Sequence, residues 1–453
     1  MANDLLALIG NTPLVEVTNF DTGLCRLFLK LENQNPGGSI KDRIGLSMIE
    51  AAERDGSLRP GGTLVEATAG NTGLGLALVA ARKGYRLILV IPDKMSQEKV
   101  FHLKAFGAQV VMTRSDVGKG HPDYYQDRAE RIAAQTPGAI YVNQFANPAN
   151  PRAHETTTAP EIWSQMNHDL DAVVCAVGSA GTITGLTRFF REAAPQVAMV
   201  LADPKGSVVA DYVKTGRVGV AGSWLVEGIG EDFIPPIADL SGVKEAYSIT
   251  DAESFAAARE LLAREAIFAG SSTGTLLAAA LKYCRARKKP ERVVTFVCDS
   301  GNKYLSKMYN DYWLADQGFR ERAQHGDLRD LIGRPQSEHA TVTVGPEDTL
   351  LTAFSRFKLY DVSQLPVLDN EKIVGLIDEY DVLMAVVNGS SHFGDLVRKH
   401  MSTHLETLSP TASLNDVLRI LDHEHVPIVA EGGRFYGLIT KIDLLNSLRR
   451  RIQ

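Results

Sequence analysis

Val173-Val174-Cys175-Ala176-Val177-Gly178-Ser179-Ala180-Gly181-Thr182-Ile183-Thr184-Gly185 reads as a buried strand, a turn of small residues and the start of a helix. A continuous β-branched and apolar run of this length predicts a strand covered on both faces, as in a parallel sheet. The small residues of Gly178 to Thr182 let backbone approach an anion, and the following helix turns its positive end toward the same point. No Gly-Lys-Ser/Thr follows, so this is not a Walker loop. Taken by itself the stretch fits a phosphate cup and a packing turn equally well.

Outward from it, the same alternation fills the first 310 or so residues. Strands are predicted at Thr63–Val65, Leu87–Ile91, Val110–Met112, Val173–Val177, Met199–Ala202 and Val293–Cys298. Helices are predicted at Thr72–Lys83, Ser96–Phe106, Tyr125–Gln135, Thr184–Ala194, Asp251–Ala266 and Thr273–Arg287. That order implies an α/β domain with helices on both faces of a mainly parallel sheet. The length implies two lobes, with the ligand cleft beyond the carboxyl ends of the strands. Net charge is -6 and charged residues are 23%, which carries no signal for nucleic acid or a membrane surface. Four scattered cysteines without a C-x-x-C pair argue against a disulfide framework and a zinc site. No signal peptide and no apolar run of about 20 residues is present, so a cytoplasmic protein is expected.

Three more loops carry chemistry. In Pro36-Gly37-Gly38-Ser39-Ile40-Lys41-Asp42-Arg43, proline and glycines predict a turn and Ser39 a helix cap, which puts Lys41 in the first helical turn. A cation there opposes the helix dipole, and the position suits an amine that must lose its charge. A solvated lysine at a helix start stays open on these residues alone. Glu66-Ala67-Thr68-Ala69-Gly70-Asn71-Thr72-Gly73-Leu74-Gly75 is a second turn opening a helix, and so a second anion site. It is not a nicotinamide fingerprint, because the third glycine position is Leu78. Cys298-Asp299-Ser300-Gly301-Asn302 ends another strand with a hydroxyl that would face the cleft or cap a helix. Glu227-Gly228-Ile229-Gly230 is a glycine-hinged loop, a lid or a connection.

In this order, with Gly10-Asn11-Thr12-Pro13-Leu14 ahead of them, the motifs resemble the cysteine synthase/cystathionine β-synthase family of fold-type II pyridoxal-phosphate enzymes. The resemblance covers about residues 1–315. It implies a two-lobed, three-layer αβα fold in which Lys41 carries pyridoxal 5'-phosphate covalently and serves as base and acid. Asn71 would bond the ring hydroxyl, Gly178, Ser179, Ala180, Gly181 and Thr182 the phosphate, and Ser300 the ring nitrogen. Thr68, Ala69, Gly70, Thr72, Gln144 and Gly228 would bind substrate. Asp203-Pro204-Lys205-Gly206-Ser207, Glu227-Gly-Ile-Gly and Asp232-Phe-Ile-Pro tilt the reading toward the cystathionine β-synthase branch. That branch joins L-serine to L-homocysteine, giving L-cystathionine and water, with sulfide-generating side reactions. A cysteine synthase using O-acetylserine and sulfide is the alternative, and a non-catalytic nucleotide sensor is a third reading. Departures are Ala69 for a more usual serine, Phe145 for a tyrosine after Gln144, and Glu231 for a tyrosine. The haem-binding extension of the animal enzymes has no counterpart, so no haem and no metal is expected.

Residues 319–337 are charge-rich and read as a linker after a catalytic domain at 1–318. Beyond it the chain repeats at an offset of about sixty residues. Leu365-Pro366-Val367 answers Val426-Pro427-Ile428, and Gly375-Leu376-Ile377-Asp378 answers Gly437-Leu438-Ile439-Thr440. Each copy is predicted as strand–helix–strand–strand–helix, at 338–393 and 394–453. The tail resembles a tandem pair of CBS domains, an α+β module. Thr440 and Asp443 match its ribose- and phosphate-binding signature, which implies an adenosyl ligand such as S-adenosylmethionine or an adenine nucleotide. The family also implies a homodimer or larger homo-oligomer.

Overall fold

The computed structural model describes all residues except 1–3, 69, 94–96, 118–119, 323, 388–389 and 453. The chain divides into two compact units, Met1–Tyr309 and Asn310–Gln453. Among the described residues no helix is long and apolar enough to cross a membrane.

Among the described residues the first unit holds ten strands: β1 (Leu14–Glu16), β2 (Arg26–Leu31), β3 (Thr63–Glu66), β4 (Arg86–Pro92), β5 (Gln109–Thr113), β6 (Ala139–Tyr141), β7 (Ala172–Ala176), β8 (Ala198–Pro204), β9 (Val243–Ile249) and β10 (Arg292–Val297). They form two sheets. The larger runs β1-β2-β10-β7-β8-β9 and the smaller β5-β4-β3-β6. All pairings are parallel except β1 with β2. The two expected lobes are therefore two sheets, and the central strand β7 is buried along its whole length. Every strand expected from an apolar run is found. β2, β6 and the edge strands β1 and β9 had no such run to mark them. β2 (RLFLKL) carries a lysine in its middle. Lys30 is nevertheless fully buried, because its ammonium donates to Thr12 O at 2.7 Å, Glu161 Oε2 at 2.8 Å and Gln165 Oε1 at 2.9 Å.

Two corrections concern helix starts. The helix expected at Thr184 begins three residues earlier, at Gly181, because Ala180 takes a left-handed conformation (φ 67°) and turns the chain at once. The helix Lys41–Arg54 starts after Ile40, not after Ser39. The Ser39 hydroxyl still accepts from the Lys41 amide, at 3.2 Å. That helix lies against the helix Asn71–Lys83 through Gly45 and Gly75. A Cβ on Gly75 would stand 2.6 Å from the Lys41 carbonyl oxygen, so only glycine allows this approach. Arg43 ties the same turn down from the other side, with Glu32 at 2.8 Å and Glu161 at 2.7 Å, all but out of solvent. A charge buried this way persists only with partners in place.

The second unit contains two copies of a small motif. One has the helix Leu350–Tyr360, β11 (Gln364–Asp369), β12 (Lys372–Asp378) and the helix Glu379–Val386. The other has β13 (Thr407–Leu408), the helix Leu414–Asp422, β14 (Ile428–Glu431), β15 (Arg434–Leu438) and the helix Lys441–Ile452. Each has its own apolar core, around Leu350, Leu365 and Val397 and around Val417, Val429 and Ile439. The first strand expected of the first copy, near Thr341–Pro346, is reduced to a single bridge between Val344 and Val367. Gly345 weakens a strand and Pro346 lacks an amide hydrogen, so the ladder cannot extend.

Candidate active site

A cavity of about 800 Å³ opens at the carboxyl ends of β3, β7 and β10. Its wall carries Lys41, Thr68, Gly70, Asn71, Thr72 and Gln144 from one side, and Gly178 to Thr182 with Gly228 from the other. Ala69 lies outside the described residues. Apart from Ser300, the remaining residues expected to bind cofactor or substrate thus share one wall.

Lys41 projects into this space from the first turn of its helix. Burial lowers its pKa, so the amine loses its proton more readily than a solvated lysine. Cys298, Cys175 and Glu231 are the neighbours that could oppose this by being negative. Burial raises the Cys175 thiol to about 12 and pushes Cys298 higher still, so both stay neutral. Desolvation wins.

Among the helices with first-turn residues on the wall, Asn71–Lys83 after Gly70, Gly181–Ala193 after Ala180 and Ser271–Arg285 after Gly270 have no side-chain cap from the described residues. The first backbone N–H groups of a helix have no partner within it. Buried ends without caps are therefore built to receive an anion from outside the chain. At Gly181 the fit is closed from behind. A Cβ there would run into Asn150 Oδ1, and one on Gly178 would stand 2.5 Å from the Gly228 carbonyl oxygen. The Asn150 amide donates to Ser179 Oγ at 3.0 Å, and Thr182 Oγ1 lies 3.2 Å from His154 Nε2. His154 opens a π-helical turn, and burial holds its ring well below the usual histidine range, hence neutral. The residues present fit a phosphate-bearing aldehyde: the uncapped helix start at Gly181 would hold its phosphate, and the Lys41 amine would react with its carbonyl.

Asn71 is held by two partners: its amide donates to Asp299 Oδ2 at 2.8 Å, and Lys303 Nζ donates to its Oδ1 at 2.6 Å. Thr72 Oγ1 donates to Gln144 Oε1 at 2.7 Å. Ser300 stands elsewhere. Its hydroxyl caps a short turn by accepting from the Asn302 amide at 3.3 Å. It lines a smaller cavity of about 310 Å³, together with Gly37, Gly38, His102 and Lys303. Asn71 and Gly70 lie on both cavities.

Several wall residues escape a reading by motif. Ser272 belongs to Gly270-Ser271-Ser272-Thr273, a small-residue helix start of the same kind as Gly178 to Thr182. Its signal is composition, visible in retrospect. Glu227 pairs with Lys99 and with Lys307, the latter at 2.6 Å, and all three line the cavity. Lys307 is 80 residues from Glu227 and Lys99 farther still, so nothing local announces them. In the second unit, Thr440 and Asp443 engage each other. The Asp443 amide donates to Thr440 Oγ1 at 3.3 Å, and the Thr440 amide and hydroxyl donate to Asp443 Oδ2 at 2.8 and 2.5 Å.

The family described as "Pyridoxal-phosphate dependent enzyme" matches residues 5–299, and the CBS domain family matches residues 337–388 and 394–450. A cystathionine beta-synthase of Oryctolagus cuniculus is 36% identical over 471 aligned residues, covering 99% of this chain and 85% of its own. A cysteine synthase 1 of Emericella nidulans is 38% identical but covers 70% of this chain and 87% of its own. The crystal structure of a hydrogen sulfide-producing enzyme from Fusobacterium nucleatum superposes with a TM-score of 0.63 at 36% identity, covering 67% of this chain and all of that one.

Proposed function

The chain belongs to the pyridoxal-phosphate dependent enzymes, in the cystathionine β-synthase family with its paired CBS domains, and from that premise we propose that it joins L-serine to L-homocysteine. The serine Cβ–O bond breaks, a Cβ–S bond forms, and the hydroxyl leaves as water, giving L-cystathionine. One observation carries the reading: Lys41 shares a cavity wall with the uncapped helix start at Gly181.

Lys41, Asn71 and Gly178 to Thr182 would hold the cofactor. When bound, it supplies an electron sink for the charge that develops at the substrate Cα. The chain's own groups do the rest. The Gly70 and Thr72 backbone and the Thr68 and Thr72 hydroxyls, with Gln144 and Gly228, orient the substrate carboxylate. Lys41, poised by desolvation, takes the Cα proton and delivers it to the departing β-hydroxyl, and once the thiolate has added at Cβ the proton given up by the thiol returns to Cα through the same amine. An amine that must work in both protonation states needs a pKa below that of free lysine.

The test compares turnover of serine plus homocysteine with turnover of O-acetylserine plus sulfide. Clear preference for the second pair overturns the assignment in favour of a cysteine synthase, the reading that the Emericella nidulans relative supports. An adenosyl ligand at the second copy of the C-terminal repeat is part of the proposal, with calorimetric titration of S-adenosylmethionine and adenine nucleotides as its check. So are a cytoplasmic location, a homo-oligomer and the absence of haem, checked by fractionation, light scattering and a scan for a Soret band.

A further inference from the structure

The cavity wall is rich in groups that favour anions: Lys41, three helix N-termini, Lys99 and Lys307. Acids on the wall are two, Glu227 and Glu231, among the described residues. Glu227 is engaged by Lys99 and Lys307. Glu231 is different. Its backbone is fixed, since its amide donates to Ser207 Oγ at 3.1 Å and its carbonyl accepts from the Val208 amide at 3.0 Å. Just before it, the Gly230 amide donates to the Val177 carbonyl at 2.7 Å, and just after it Phe233 packs on Phe145 of the wall with ring centroids 5.5 Å apart. Its carboxyl, half-buried, makes no hydrogen bond or ion pair among the described residues. Burial and the nearby Asp232 push that carboxyl up to about 8, against the pull of Lys41. A carboxyl carried on a fixed stretch of cavity wall, without a partner among the described residues, is open to a cation from outside the chain.

We propose that Glu231 receives the α-ammonium of the second, thiol-bearing amino acid and so selects an amino-acid thiol over free sulfide. The inference rests on the cystathionine-forming reading above. Of the two amino acids, the second keeps its ammonium throughout the reaction. An ammonium brought into a partly desolvated site needs an acceptor with charge to offset the lost hydration. Glu231 is the wall acid with no cation of its own, and an ammonium beside it favours its charged form as any nearby cation does. Sulfide carries no ammonium and draws nothing from it.

The test uses the full-length holoenzyme, wild type and Glu231→Gln, with Asp232→Asn as a neighbouring control. At saturating serine, KM for homocysteine is expected to rise about tenfold in Glu231→Gln, the loss of one charge-assisted hydrogen bond. With sulfide as second substrate KM and kcat stay within about twofold, and KM for serine does not move. Calorimetric titration of homocysteine onto the holoenzyme should show the same weakening, independent of turnover. Should Glu231→Gln fail to fold, Glu231→Asp, which keeps the charge, is expected to give a smaller rise confined to homocysteine. An unchanged homocysteine KM, or an equal loss with sulfide, overturns the inference and leaves the reaction assignment standing. A wild-type enzyme that does not use homocysteine overturns both.

Discussion

Three helices that open on the cavity begin differently from Asp251–Glu265 and from the helices of the C-terminal repeat. Asn71–Lys83, Gly181–Ala193 and Ser271–Arg285 start without a side-chain cap. Asp251–Glu265, away from the cavity wall, starts with a reciprocal capping box of Thr250 and Glu253. The C-terminal repeat caps its helices too, at Thr349, Asp378 and Ser413, and by the Thr440–Asp443 pair. A cap satisfies the first backbone donors of a helix. Leaving three of them out around one cavity forgoes stability and keeps donors available for a ligand. Two stretches picked out by motif, Gly178–Thr182 and Thr440–Asp443, fall on opposite sides of this division. In the first the helix's leading backbone donors face an open cavity; in the second the side chains and backbone already answer each other.

The largest effect that would sharpen the contrast is at the amine the uncapped helices surround. Lys41→Ala should lower kcat/KM by about a thousandfold or more, with loss of the absorbance of the bound cofactor and little change in melting temperature. Retained activity would detach the cavity from the chemistry. Next comes Gly181→Ala, whose Cβ meets Asn150 Oδ1. It should cost about 1–3 kcal/mol in a urea titration and weaken cofactor retention on dialysis. A fully stable, fully loaded variant would show that the helix start is not a tight cradle.

A smaller effect belongs to His154, behind Thr182. Its pKa is held well below the ordinary 6.5, so the unfolded chain binds the extra proton and the folded one does not. Its contribution is therefore fully present above pH 6.5 and is lost as pH falls below it, at up to about 1.4 kcal/mol per pH unit. Urea midpoints of wild type and His154→Gln between pH 7.5 and 5.5 should diverge by about that slope. Parallel pH dependence would mean the ring titrates freely. Smallest is Thr440→Ala. Loss of this cap should cost about 1 kcal/mol in the C-terminal unit and leave kcat with serine and homocysteine unchanged. Lost S-adenosylmethionine binding without lost stability would break the contrast and move Thr440 to the ligand-binding side.

Much of the site was legible because it is local. A buried β-branched run, a few small residues and a helix occupy a dozen consecutive positions, as at Val173–Gly185, and any parallel sheet places such a turn at the strand's carboxyl end. The same logic found the Lys41 turn and the Thr68–Thr72 loop. It missed Ser272, whose helix follows a coil and not an apolar strand. It misjudged the start of the helix at Gly181, because a left-handed alanine is a tertiary outcome and not a propensity.

From residues and spacing alone came the alternating α/β class, the loops that would meet at a cleft, the lysine among them and the doubled tail. Each depends on contacts between near neighbours in the chain. Tertiary structure decided the rest: the buried Lys30 and Arg43 with Glu161, more than a hundred residues away; the pairing of Glu227 with Lys99 and Lys307; Ser300 on the smaller cavity; and Glu231 left on the wall without a partner. Electrostatic fate depends on which distant groups arrive within a few ångströms and on how much water leaves with them, and neither is written in local sequence.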